Sequence, residues 1–324
     1  MKKHIALVFV YLCLFGCEQT EIPIVPANNG PVISAQIELG NNYAKQIFYN
    51  IKDSSIVSEN IKTAWDIGLE NGPEGYRIKI NSSTYSQIIK IENANFENTT
   101  SVPTSAVWGW DNAISLFNNT YIGDYRNKNQ IFILDRGYNI DGTSRGLKKF
   151  RVDTITGDHY IITHANLDNT QVYSAKINKI NGASVIRFSF ENNSPIEEPL
   201  DSEWDLLFTQ YTHLFINNNA IPSYLVTGVL INSAVGIEVA IDSVTPFFEI
   251  NENSISNYTF SNNQNIIGYN WKEYNFESQY YYIKDSISYI IKDSKGRCFK
   301  LRFIDFYNST GEKGAPMFEY QLFN

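Results

Sequence analysis

The chain has 324 residues, of which 43% are hydrophobic and 19% charged, and this apolar share excludes disorder for most of its length. With 26 Lys+Arg and 34 Asp+Glu the chain has a net charge of −8, and no four basic residues are consecutive. These features exclude a nucleic-acid-binding protein that relies on contacts to phosphates. The length predicts about two domains. An aromatic share of 14%, together with abundant Ile, Val and Thr, favours strands over helices.

The first residues have the pattern of an export signal. Lys2 and Lys3 precede an apolar run, residues 5–15, that is too short to span a bilayer of about 30 Å. We therefore predict a signal peptide over residues 1–16. Its removal takes away two lysines, so the mature chain carries 24 positive and 34 negative charges, a net −10 that repels anionic lipid headgroups.

The last residues of the predicted signal peptide, Leu14, Phe15 and Gly16, together with the following Cys17 resemble a bacterial lipobox. This motif predicts that the Cys17 thiol takes a diacylglycerol, that Cys17 is the first mature residue, and that residues 17–31 are a proline-stiffened tether to the outer membrane. A soluble secreted protein cleaved nearby is the alternative. Since Cys13 leaves with the signal, Cys298 has no partner for a disulfide, and a buried inert thiol is expected.

Two parts of the chain repeat the same order of elements. Each opens with Trp-Asp before an apolar run, and each later has a hairpin whose first strand ends in Asp. The matching segments are Trp65–Leu69 with Trp204–Phe208, Ile131–Asp135 with Tyr289–Asp293, and Lys149–Val152 with Lys300–Phe303. This predicts a tandem duplication with one unit at 32–197 and another at 198–324. The polar cluster 191–195 marks the boundary, and Glu197 and Glu198 are interpreted as solvated charges in a linker.

Other segments alternate apolar and polar residues as strands do. They are Tyr76–Ile80, Tyr160–Thr163, Ala183–Phe190, Tyr224–Ile231 and Gly236–Ala240. The nearest helical candidate, Trp108–Phe117, is short and allows at most one or two turns. The predicted fold is therefore all-β, with two tandem, diverged and mostly antiparallel units and few or no helices.

The C-terminal segments Tyr289–Tyr307 and Gly311–Tyr320 resemble the closing strands of the HmuY family, and Trp204–Tyr211 resembles its opening strand. The resemblance is strongest over residues 198–324. These all-β surface lipoproteins of Bacteroidota bind haem. The resemblance implies capture of haem outside the cell for iron acquisition and its transfer to an outer-membrane transporter, with two axial side chains on the iron. A host haemoprotein is a further partner to consider.

The family's best-known iron ligands, two histidines in loops between the opening strand and the final hairpin, have no counterpart here. Between Leu214 and Pro316 there is neither His nor Met. Haem iron also accepts Cys or Tyr. The candidate ligands of the mature chain are therefore His159, His164 and His213, beside the alternatives Met317, Cys298 and the tyrosines, among them the run Tyr280–Tyr282.

The alternation of side chains along a strand predicts the face to which each histidine points. His213 falls on one face with Asp205 and Tyr211, opposite Leu206 and Phe208, and is reachable if that face lines a pocket. His159 and His164 are an odd number of residues apart, so they should point to opposite faces of their strand. Two such side chains cannot easily bind one haem.

Other chemistries find little support. No Gly-x-Ser-x-Gly elbow is present, and no Cys/His cluster has the spacing of zinc ligands, so we predict a non-enzymatic protein without nucleic-acid partners. A second hypothesis keeps the duplicated β module but assigns it a glycan or a protein partner in place of haem. It uses the aromatic segment Trp108–Trp110 and Trp271 as platforms.

Overall fold

The computed structural model describes residues 30–126, 128–215 and 222–323, and this part of the chain is almost entirely antiparallel β structure. The predicted all-β, mostly antiparallel fold is confirmed. The helical elements described are four short 3₁₀ helices at Ser82–Thr84, Asp201–Glu203, Ser233–Val235 and Glu252–Asn257. Trp108–Phe117 forms turns without a helix. The signal peptide, Cys17 and most of the tether lie outside the described residues.

The first sandwich is built from the middle of the chain. Its strands are β4 (Ile67–Glu70), β5 (Ile78–Ile80), β6 (Gln87–Glu92), β7 (Gln130–Asp135), β8 (Leu147–Ile155), β9 (His159–Ala165), β10 (Tyr173–Asn178), β11 (Val185–Ser189) and β12 (Ser194–Pro195). They form a five-stranded sheet β10-β9-β8-β7-β6 and a four-stranded sheet β12-β11-β4-β5. Apolar residues of both sheets, including Ile67, Phe132, Phe150 and Phe188, pack into one core.

The second sandwich combines both ends of the chain. Its strands are β1 (Ile33–Gln36), β2 (Lys45–Asn50), β3 (Ser55–Ile61), β13 (Leu206–Leu214), β14 (Ser223–Ile231), β15 (Glu238–Asp242), β18 (Ser288–Lys292), β19 (Cys298–Tyr307) and β20 (Lys313–Leu322). A separate hairpin, β16 (Lys272–Asn275) with β17 (Tyr280–Ile283), stands between β15 and β18. The two sheets are β1-β20-β19-β18-β15 and β14-β13-β2-β3. Phe208, Phe303, Phe318 and Trp271 contribute to their common core.

The strand pairing does not follow the predicted boundary at 197/198. Strands β1 to β3 belong to the predicted N-terminal unit, yet β1 pairs with β20 and β2 pairs with β13. They occupy the places that β10, β11 and β12 hold in the first sandwich. The reason is that β13 and β20 each have an edge and an apolar face left to cover, and the start of the chain supplies the missing strands.

The predicted linker is also more structured than expected. Ser194 and Pro195 pair with β11, and the Glu198 carboxylate forms an ion pair with Arg187 in which both side chains are only 10% exposed. The prediction of solvated charge was therefore wrong for Glu198, because the second unit covers this segment, whereas Glu197 is exposed.

Matched hydrogen bonds recur in the two sandwiches. The Asn81 amide donates to the carbonyl of Trp65 at 2.8 Å, and the Asn232 amide donates to that of Trp204 at 3.0 Å. The ammonium of Lys149 donates to two loop carbonyls, at 2.6 and 2.8 Å, and that of Lys300 does so at 2.8 and 2.9 Å. These equivalent contacts accord with the predicted duplication.

Candidate functional site

His164 lies inside the core of the first sandwich. Its side chain is fully buried, its Nε2 is 2.8 Å from Asn193 Oδ1, and its ring stacks on Phe190 with centroids 4.7 Å apart. Burial lowers the pKa of this imidazole, so it is neutral at pH 7. An iron atom would reach it only by displacing the aromatic rings around it.

His159 begins the same strand and faces the other way. Its Nδ1 lies 3.0 Å from the hydroxyl of Thr156 at an exposed turn. Burial alternates along β9, with Tyr160, Ile162 and His164 directed into the core and His159 away from it. The predicted opposite orientation of the two histidines is confirmed, and the structure does not bring them together.

His213 lies near the end of β13, half-buried between aromatic side chains. Its ring centroid is 4.9 Å from that of Phe215 and 5.2 Å from that of Tyr269, and both rings meet it edge to face. Desolvation lowers the pKa of His213, which keeps its imidazole neutral at pH 7. The neutral imidazole is the form that coordinates a metal.

Tyrosines extend this aromatic region. Tyr224 stands directly opposite His213 in the β13–β14 register and is 61% exposed. The pKa of Tyr281, on the hairpin β16–β17, is raised mainly by burial and further by the proximity of Tyr224. Burial likewise raises the pKa of Tyr43 and Tyr269 above the usual value. The phenols of Tyr43, Tyr269 and Tyr281 therefore stay protonated at pH 7 and serve as hydrogen-bond donors and ring surfaces.

A neutral imidazole beside aromatic rings is one environment in which proteins bind haem iron, and His213 has such surroundings. No second histidine or methionine lies there within the described part of the chain: Met317 is on β20, opposite Gln36 and Asp305. Burial raises the pKa of Cys298, which disfavours its thiolate. The loop at 216–221, outside the described residues, contains only Ile, Asn and Ala. Among the described histidines, His213 is therefore the one that lies beside aromatic rings without being enclosed by them.

Sequence reasoning named His213 but missed Phe215 and Tyr269 as its neighbours. Phe215 follows His213 by two positions, so strand alternation was enough to place it on the same face. Tyr269 comes from a distant loop, where Gly268 pairs with Val229 of β14. No local pattern predicts that contact.

The aromatic platforms of the second hypothesis are partly buried. Trp271 is only 1% exposed and stacks on Phe303 with centroids 3.9 Å apart, so it presents no surface to a glycan. Trp108 and Trp110 are half-buried on either side of Gly109, which pairs with Ile88. The expectation for Trp271 was wrong because the hairpin and β19 enclose it.

The residues that the structure describes contain no cluster of three or more His, Cys, Asp or Glu side chains placed to hold a metal ion. None of their helices combines the length and the apolar character needed to cross a bilayer.

Comparison with known proteins gives a match to a family model described as HmuY protein, over residues 42–320. None of the curated proteins matches. Among solved structures, apo PinO from Porphyromonas gingivitis is 9% identical, with 91% of this chain and 98% of that chain covered and a TM-score of 0.30. The apo HmuY analog TFO from Tannerella forsythia is 11% identical, with coverages of 92% and 99% and a TM-score of 0.21. A protein of Bacteroides vulgatus ATCC 8482, described as HmuY-like and heme binding, is 15% identical, with coverages of 41% and 81% and a TM-score of 0.18.

Proposed function

This chain belongs to the HmuY family, and from that premise we propose that it is a non-enzymatic lipoprotein that binds haem for iron acquisition. The observation that carries the proposal is the setting of His213, a neutral imidazole half-buried beside Phe215 and Tyr269. Its side chain coordinates the iron from one side. Aromatic rings contact the macrocycle and exclude water from that side.

Among the described residues, no second histidine or methionine lies beside His213 to take the other axial position. The phenol of Tyr269 has a pKa raised by burial, so forming its phenolate costs free energy at neutral pH. We expect iron held by His213 alone, as in proteins with a single proximal histidine. A small exogenous ligand then binds at the open position.

We further propose that the lipid on Cys17 anchors the protein in the outer membrane, exposed at the cell surface. The net charge of the mature chain opposes adsorption to anionic headgroups, so the acyl chains must supply the attachment. At the surface the protein takes haem from its surroundings, such as a host haemoprotein, and passes it to an outer-membrane transporter.

The test is a haem titration of the soluble fragment from Glu18 onward, which lacks the lipid-bearing Cys17, followed by the Soret absorbance. His213→Ala should abolish the shifted, saturable band, whereas the matched control His159→Ala should leave it unchanged, because His159 bonds to Thr156 at an exposed turn. Cyanide should shift the spectrum of the parent complex, since one axial position is open.

Two results would contradict this function. A Soret band that persists in His213→Ala places the iron on another side chain, and Tyr269→Phe is then the next variant to titrate. If the parent shows no saturable band, the haem-binding hypothesis is wrong and the glycan or protein-partner hypothesis is left. The half-buried Trp108 and Trp110 are then the remaining candidates for aromatic contacts with that partner.

A further inference from the structure

The two sandwiches meet through the outer faces of their four-stranded sheets, and equivalent positions on these faces carry opposite chemistry. In the second sandwich Leu207 pairs with Phe48 on one side and Leu230 on the other. In the first sandwich the corresponding cross-strand row is Arg187, Gly68 and Lys79. An apolar row thus faces a row with two cations and a glycine between them.

Gly68 allows the two cations to approach. A Cβ at this position would lie 2.9 Å from Lys79 Cγ and 2.9 Å from Val185 Cγ1, closer than carbon atoms tolerate. The stem of Lys79 therefore crosses over the glycine towards Arg187. Burial and the positive charge of Arg187 together lower the pKa of Lys79 to about 8.

The protein leaves hydrogen-bond donors of this pair unused. Arg187 forms an ion pair with Glu198, but its Nε is buried without an acceptor. Among the described residues no carboxylate lies within ion-pair distance of the Lys79 ammonium. Asp111, whose charge acts on Lys79, accepts the backbone N–H groups of Ile80 and Tyr121, each at 2.7 Å.

Asp201 is the other carboxylate at this interface. Its Oδ2 accepts a hydrogen bond from the Ser184 hydroxyl at 2.5 Å, and its charge acts on Arg187. With Glu198 and Asp201 both committed to the Arg187 side, the ammonium of Lys79 is the cation that still lacks a directly bonded anion.

A cavity of about 80 Å³ lies between the two rows, lined by Lys79 and Arg187 on one side and by Phe48, Leu207 and Leu230 on the other. One water molecule needs roughly 10–15 Å³ of such space, so the cavity accommodates about six non-hydrogen atoms. Its lining combines the donors of Lys79 and the buried Arg187 Nε with apolar walls, while the two carboxylates that also line it, those of Glu198 and Asp201, already bind Arg187 and the Ser184 hydroxyl. A free donor pair beside apolar walls is the pattern of a site for a small amphipathic anion.

We propose that this cleft binds a small monocarboxylate with a short apolar chain. The carboxylate accepts hydrogen bonds from Lys79 Nζ and Arg187 Nε above Gly68, and the apolar chain packs on Phe48, Leu207 and Leu230. This site is independent of the haem site, because it lies between the four-stranded sheets and includes none of the histidines.

The test uses butyrate as the probe with the soluble fragment from Glu18 onward, and butyramide as its uncharged counterpart. Butyrate should raise the Tm saturably and give a measurable Kd by calorimetry, whereas butyramide should not. Lys79→Met should weaken butyrate binding at least about tenfold, the effect expected on loss of one charge-assisted hydrogen bond. The matched control Lys176→Met, an exposed lysine on β10 of the same unit, should bind as the parent does.

Gly68→Ala serves as a second variant if Lys79→Met disturbs folding. It keeps both charges but pushes the Lys79 stem aside, so it should also weaken butyrate binding. Equal responses to butyrate and butyramide, equal affinities in all variants, or no saturable response in the parent would overturn the proposal. None of these outcomes bears on haem binding, which the His213 variants test separately.

Discussion

The two sandwiches share a backbone hydrogen-bond scheme but differ in the charges around it. In the first, Asp66 accepts the backbone N–H of Phe190 at 2.7 Å and forms ion pairs with Arg136 at 2.8 Å and Arg145 at 2.9 Å. In the second, Asp205 accepts the N–H of Ile51 at 2.9 Å. Among the described residues no arginine forms an ion pair with Asp205. Both sandwiches therefore keep a carboxylate that accepts a backbone N–H, whereas the charged residues around that carboxylate differ between them.

A second pair of equivalent positions makes the same point. The carbonyl of Tyr76 accepts the phenol of Tyr125 at 2.6 Å, and the carbonyl of Thr227 accepts the ammonium of Lys272 at 2.5 Å. Lys272 is also 4.2 Å from the ring centroid of Trp271. Each of these carbonyls needs a hydrogen-bond donor, because an unpaired buried carbonyl costs free energy. The donor is the phenol of Tyr125 in the first sandwich and the side-chain nitrogen of Lys272 in the second.

Substitutions of Asp66 and Asp205 should give the largest difference between the two sandwiches. Asp66→Asn removes the ion-pair partner of the buried Arg145 and leaves the buried Arg136 with only the exposed Glu191, so it should lower the free energy of unfolding by about 3–5 kcal/mol. Asp205→Asn should cost below about 1 kcal/mol, because burial already raises the pKa of Asp205 and the amide oxygen still accepts the Ile51 N–H. Urea unfolding measures both, and equal losses would contradict the difference described above.

The facing rows between the sandwiches allow a second comparison. Leu207→Ala removes a side chain packed with Phe48, Trp204 and Leu230 and should lower the free energy of unfolding by about 2–4 kcal/mol. Gly68→Ala adds a methyl group that only the stem of Lys79 and a valine must avoid, so about 1 kcal/mol is expected. Thermal and urea unfolding should rank the variants in this order. A larger loss of stability for Gly68→Ala than for Leu207→Ala would mean that Lys79 and Val185 cannot move aside for the added methyl group.

The pH dependence of stability should sharpen the contrast between Lys272 and Tyr125. Burial lowers the pKa of Lys272 from 10.5 to about 7, so the folded state releases its proton before the unfolded state does. This contribution to stability is present at high pH and is lost as pH falls towards 7. Between pH 7 and 9 the parent should therefore gain about 2 kcal/mol that Lys272→Met does not gain.

Tyr125 provides the control for that experiment. Burial raises the pKa of its phenol, so it stays protonated in both states below pH 9 and contributes no pH dependence there. Tyr125→Phe should shift the stability by a constant amount over this range. If the difference in free energy of unfolding between the parent and Lys272→Met stays constant from pH 7 to 9, Lys272 remains charged in its aromatic surroundings.

Much of the fold could be predicted because its signals are local. Alternating apolar residues identified β11, β14 and β15, and the two Trp-Asp segments identified the openings of β4 and β13. For the candidate site the sequence supplied the short list of histidines, and the odd spacing of His159 and His164 placed them on opposite faces. Neither step needs knowledge of distant contacts.

The sequence by itself determined the strand content, the repeated order of elements and the set of residues able to bind iron. Only the tertiary structure decided that strands β1–β3 complete the second sandwich, that His164 is enclosed while His213 is half-buried beside Tyr269, and that Lys79 crosses Gly68 towards Arg187. The physical reason is that alternation is a property of neighbouring residues, whereas strand partners, burial and charge proximity depend on segments far apart in the chain.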